Sequence, residues 1–168
     1  MKLRLFLLLA IITSALFLHA QAPDLPAIPK EKEEYTQTEP DFIKAAQWLE
    51  NTPIGTDADK RKAINGWVVA WVSGSPTVTI ELGGTMVKLF NKNPDLLAVY
   101  MAGYTRYCLE NNYSKDAIKA TVAGMKSVVN CYNLGGQVKK DKSLSKAIEA
   151  DKNGTLTDWV KQEVMNAN

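Results

Sequence analysis

The clearest pattern in the chain lies between residues 93 and 136, where apolar positions recur every third or fourth residue. Leu97, Tyr100, Met101, Tyr104, Tyr107 and Cys108 share one helical face, and Leu96 and Val99 carry the apolar surface onto a second. After Asp95 only Arg106 and Glu110 bring charge, so this stretch predicts a helix buried on most sides. Asn93-Pro94-Asp95 supplies its N-cap, a first-turn proline and an acid suited to the positive end of the helix dipole. Ser114 is placed to cap a partner helix with Ile118, Val122, Met125, Val128 and Val129, ended by Gly135-Gly136. With a turn near Tyr113 the two form an antiparallel hairpin in which Gly103 and Gly124 fall at one level. Facing glycines let backbones approach closely, which offsets the ~1 kcal/mol that each costs inside a helix.

The flanking segments are also helical in pattern. Thr38, Pro40 and Asp41 mark the start of a helix through Phe42, Ile43, Ala46, Trp48 and Leu49, stopped by Pro53 and Gly55. Thr56-Asp57-Ala58-Asp59 opens another, whose stripe of Ile64, Trp67, Val68 and Trp71 ends at Gly74. Val78, Ile80 and Leu82 alternate with polar residues, but a lone strand has no partner, so 75–82 predicts an extended loop or a helical turn. Gly83-Gly84-Thr85 leads into a short helix over 86–91, and two more follow at about 141–150 and 155–165. The sum is an all-α fold: a compact bundle of about six or seven short helices around a central buried antiparallel hairpin.

The first twenty residues change the picture. Lys2 and Arg4 precede an apolar stretch over 5–18, and Ala20 and Ala22 offer small residues for cleavage. Residues 1–20 thus read as a secretory signal peptide, too short for the ~20 residues of a transmembrane helix. The expected product is exported, periplasmic or extracellular, with no transmembrane segment. Prolines 23, 26 and 29 and the charge run 30–34 predict a disordered tether over 21–37, followed by a single helical domain at 38–168.

Cleavage at either site removes His19, the only histidine, so imidazole catalysis and histidine metal ligation are closed. It also removes Lys2 and Arg4 from twenty basic residues, which leaves eighteen against eighteen acids. A near-zero net charge gives no reason to expect nucleic acid as a partner. Cys108 and Cys131 would suit one disulfide in an exported chain. Their places on the hairpin put them roughly 18–20 Å apart along it, beyond the ~7 Å limit, so two unpaired, buried thiols are expected.

Candidate chemistry is sparse. Within 149–160, Asp151, Asn153, Gly154 and Leu156 resemble positions 3, 5, 6 and 8 of an EF-hand calcium loop. Glu149 and Val160 depart from it where Asp and a bidentate Glu belong, and a plain helix–loop–helix connection with Thr155 and Asp158 opening the second helix competes. Lys139, Lys140, Lys142 and Lys146 form a basic cluster suited to an anionic polymer or to a solvated surface. Tyr100, Tyr104 and Tyr107, with Arg106 and Glu110, can line a pocket or serve the core. Gly83-Gly84-Thr85 offers free N–H groups but lacks the lysine of a phosphate loop. Ser143 and Lys146 match Ser-x-x-Lys in letters only, and Glu81 is the acid in the most unusual surroundings.

No catalytic residue, metal ligand or cofactor is assigned on this basis. The sequence points to a non-enzymatic envelope or secreted binding module whose partner is an envelope protein or a polysaccharide. The alternatives are a histidine-free glycan hydrolase using two carboxylates and a calcium-dependent binder using the degenerate loop.

Overall fold

The computed structural model describes residues 21–165, so the predicted signal peptide at 1–20 lies outside the described residues. Among the described residues seven α-helices follow one another: α1 Lys32–Asn51, α2 Ala58–Gly74, α3 Gly84–Leu89, α4 Asp95–Glu110, α5 Ala117–Asn133, α6 Lys142–Lys152 and α7 Leu156–Trp159. The last continues as a π-helical turn over Val160–Met165. The fold is all-α, and α4 and α5 form its most heavily packed pair.

The hairpin is as tight as its glycines predict. A Cβ built on Gly103 would lie 2.7 Å from the Ser127 Cβ and 3.2 Å from the Gly124 Cα. One on Gly124 would lie 2.8 Å from the Tyr100 carbonyl oxygen, a contact that no side chain tolerates. The caps differ from expectation. Asp116, not Ser114, caps α5 by accepting the Lys119 N–H at 3.0 Å. Asn112 and Tyr113, both at φ +55°, first carry the turn through left-handed backbone. Asn93 does not cap α4 with its side chain. It is buried, and its amide exchanges two hydrogen bonds with the Lys139 backbone at 2.9 and 2.7 Å, pinning the distant 134–141 loop.

α1 begins at Lys32 rather than near Thr38, with Pro40 in its interior, so part of the predicted tether is helix. Tertiary packing explains the extension. Tyr35 sits edge-on to Trp71 at 5.1 Å, and the Trp71 indole N–H donates to the Thr38 hydroxyl at 2.9 Å. That hydroxyl donates back to the Glu34 and Tyr35 carbonyls at 2.9 and 3.1 Å, within the turn that a proline would otherwise weaken. The Glu34 carboxylate accepts the Lys30 and Glu31 N–H groups at 2.7 and 3.3 Å, and these bonds hold it below the usual carboxylate range.

Residues 21–30 also differ from a free tether. They lie extended on the body, with Ala22 and Leu25 packed against the core and Pro29 buried. Trp71, Phe42, Leu49, Ile64, Leu96 and Met125 form the fully buried centre where α1, α2, α4 and α5 meet. Both cysteines are buried and free, and the Cys131 thiol donates to the Thr52 carbonyl at 3.7 Å. Segment 75–83 is an irregular loop, and among the described residues the sole β-bridge joins Ile54 to Gly136.

Candidate functional site

Four polar constellations survive folding, and the most enclosed of the cavities they border lies over the tyrosine row of α4. Tyr100, Tyr104 and Cys108 recur every four residues along α4, so helical geometry stacks them in one row. At the turn end of the hairpin this row floors a cavity of about 280 Å³. Thr121 and Ala117 of α5 form one wall, and the 75–83 loop forms the other. That loop is shaped locally: the Ser75 hydroxyl accepts the Thr77 and Val78 N–H groups at 3.4 and 3.1 Å, turning Val78 into the core. Lys115 then reaches across to donate to the Thr77 carbonyl at 2.6 Å, clasping loop to hairpin.

The electrostatics keep the floor uncharged. Burial pushes the Tyr100 hydroxyl up to about 12, partly opposed by its 3.4 Å contact with Thr121 Oγ1. Burial also raises Tyr104, helped by nearby Cys108, Glu81 and Asp116. Burial raises the Cys108 thiol too, with Lys115 pulling the other way. A protonated, desolvated thiol is a poor nucleophile. Near neutral pH the floor therefore presents two phenols and a thiol, all protonated. The Tyr104 hydroxyl makes no hydrogen bond to any described residue. Glu81, exposed at the rim, is the only acid among the described residues lining the cavity.

The structure thus brings Tyr100, Tyr104 and Glu81 together and sends the rest of the expected pocket elsewhere. Arg106 turns to the opposite face, 2.5 Å from Glu50 Oε1 and 3.8 Å from Glu110. Ser127 donates to Glu50 Oε2 at 2.7 Å, and Asn130 donates to the Glu50 carbonyl at 2.9 Å. This cluster ties α1 to the hairpin with its polar groups satisfied. Tyr107 lines a separate shallow groove with Ile118 and Val122.

A buried guanidinium is the third constellation. Arg61 is 2 % exposed, caps the Leu49 and Thr52 carbonyls at the end of α1, and lies 5.2 Å from the Trp48 ring centroid. Burial lowers its pKa, opposed by Cys131 and Asp95, and its Nε and Nη1 atoms have no hydrogen-bond partner among the described residues. It occupies the site of a helix C-cap.

The lysine cluster is the fourth. Lys139, Lys140, Lys142 and Lys146 are all exposed, and Asp141 between them is engaged by Lys92 at 3.6 Å and as the cap of α6. Ser143 and Lys146 border one shallow groove without a hydrogen bond between them. The EF-hand resemblance is not matched in geometry. Glu149 and Asp151 are helical residues of α6, and Gly154 at φ +71° ends that helix, with the Thr155 N–H closing onto the Ala150 carbonyl at 2.8 Å. Among the described residues no three acidic, cysteine or histidine side chains gather as metal ligands. Gly83-Gly84-Thr85 opens a helix of only six residues.

Sequence reasoning missed Lys115 and Thr121, because their roles arise from contacts 38 and 21 residues away. No family model, curated protein or solved structure matches the chain.

Proposed function

We propose that the protein is an exported, non-enzymatic binding module of the envelope or extracellular space. Its cleft over Tyr100 and Tyr104 takes one sugar unit of a polysaccharide. The observation that carries this reading is the Tyr104 hydroxyl, raised by burial and unpartnered, in a cavity of about 280 Å³. Neutral phenols beside the Thr121 and Ser114 hydroxyls suit a ligand that both donates and accepts hydrogen bonds and offers apolar C–H faces to aromatic rings. Among the described residues no helix is long and apolar enough to cross a membrane, which agrees with a protein that acts outside the bilayer.

The hydrolase alternative needs a second carboxylate roughly 5–10 Å from Glu81, and the cleft lining supplies none among the described residues. Calorimetry of the mature protein with oligosaccharides cut from bacterial envelope and extracellular polymers tests the proposal. Saturable heat that Tyr104→Phe weakens supports it. Heat unchanged by Tyr104→Phe removes the cleft from the account, and release of shortened glycans over hours replaces binding with hydrolysis.

A further inference from the structure

The ten residues before α1 carry a second, independent signal. Gln21, Asp24, Ala27, Ile28 and Lys30 are exposed, while Ala22 and Leu25 pack inward and Pro29 is buried. Pro23, Pro26 and Pro29 recur every third residue, the period of the polyproline II helix. No backbone hydrogen bonds form within the segment, so its carbonyls are free to be read by other groups. One is read. The Trp67 indole N–H donates to the Pro26 carbonyl at 2.7 Å, from a ring that is itself buried against Phe42 at 6.0 Å. A tryptophan in an aromatic groove, donating to the carbonyl of a proline-rich extended strand, is the recurring way proteins recognise polyproline II segments.

We infer that the groove between α1 and α2 is a binding surface for a proline-rich extended segment of another protein, and that residues 21–30 are a resident stand-in carried by the chain itself. The hold on the stand-in is light. Besides the indole bond, residues 21–29 make no hydrogen bond to a described residue. Their one ion pair joins Asp24, fully exposed, to Lys60 at 3.5 Å. Three prolines pre-order the strand, so it docks at small entropic cost and leaves without breaking a hydrogen-bond ladder. The incoming partner is defined by the same chemistry: prolines every third residue, with an acid one place after the first to meet Lys60. A tethered occupant competes at an effective concentration near millimolar, so a free partner binds the resting chain weakly until the occupant is displaced.

The test uses the mature chain starting at Gln21, labelled with nitrogen-15, and a synthetic peptide with the sequence of residues 22–30. The probe is the Trp67 indole N–H resonance. In a Pro26→Gly/Pro29→Gly variant this resonance is expected to leave its native position and return on adding peptide. The midpoint should lie about tenfold or more below that of the unaltered chain. A control peptide with serine at all three prolines should leave the resonance unmoved.

A variant that keeps its helical circular dichroism yet ignores millimolar peptide overturns the inference. If the variant loses its helical signal, the unaltered chain decides. Proline-dependent movement of the Trp67 resonance at several millimolar peptide sustains the inference, and no movement overturns it. A concentration-dependent dimer showing the native Trp67 position without any peptide would assign the groove to a second copy instead, and would overturn the foreign partner.

Discussion

The two faces of the α4–α5 hairpin treat polar groups in opposite ways. On one, Glu50, Arg106, Ser127 and Asn130 engage one another, at distances of 2.5 to 2.9 Å for the bonds to Glu50. On the other, Tyr104 and Cys108 bring polar atoms into a cavity without giving the Tyr104 hydroxyl a partner. The same two helices contribute to both faces, so the contrast is one of satisfaction rather than of residue type. A network whose members are paired stabilises, and its loss is read as lost stability. An unpartnered group already carries its desolvation cost, so its removal is read in ligand affinity.

The most severe way to break the contrast is to part the helices. Gly124→Leu drives a side chain into the Tyr100 backbone and is expected to lower unfolding free energy by about 3 kcal/mol or more. Both faces should suffer together, with sugar binding lost as urea unfolding moves to lower concentration.

Alkaline pH strains the cleft floor through Tyr100. Tyr100 holds a pKa of about 12 against 10.0 for the free side chain, so the folded state keeps its proton longer than the unfolded state. The associated stability is fully present below pH 10 and is lost as pH rises through about 12, since the unfolded chain then binds fewer protons than the native one. Urea unfolding across pH 9 to 12 should show a fall on the order of 2 kcal/mol beyond that of Tyr100→Phe.

Glu50→Ala attacks the other face. It leaves Arg106 and Ser127 without their shared acceptor and should cost about 2 kcal/mol while sugar affinity stays within error. Tyr104→Phe is the sharpest discriminator because its expected stability effect is the smallest, within ~0.5 kcal/mol. Its calorimetric affinity for the same glycan should fall about tenfold, as loss of one hydrogen bond of about 1.4 kcal/mol predicts. If instead Tyr104→Phe destabilised the fold as much as Glu50→Ala does, the two faces would be alike and the cleft would be merely structural.

Much of the hairpin was legible because it is local. Gly103 and Gly124 announce a close approach by their register alone, and the alternation of 75–82 without a second strand correctly argues against a sheet. The start of α1 was not legible. Pro40 and Thr38 are strong boundary signals, and only Trp71, 33 residues beyond Thr38, shows why the helix runs back past them. Asn93 reads as a cap for the same reason: nothing nearby reveals that its amide is claimed by Lys139, 46 residues later. The tyrosine row was visible as a helical face, but which of its members met the cleft depended on a loop that brings no periodic signal. Arg106 and Glu110 looked self-sufficient as an i, i+4 pair, whereas the closer partner of Arg106 is Glu50, at a separation of 56 residues.

The two free cysteines have a consequence for the history of each molecule. Cys108 belongs to the cleft floor and Cys131 is bonded to Thr52 near the far end of α5, so the native architecture holds them apart. A molecule in which they are joined has therefore been open at some earlier time. In an oxidising compartment, where unfolded thiols pair readily, the bridged fraction accumulates like a tally of past unfolding events. Non-reducing gel mobility of aged protein would then record how often the fold has failed, long after the failure itself has passed.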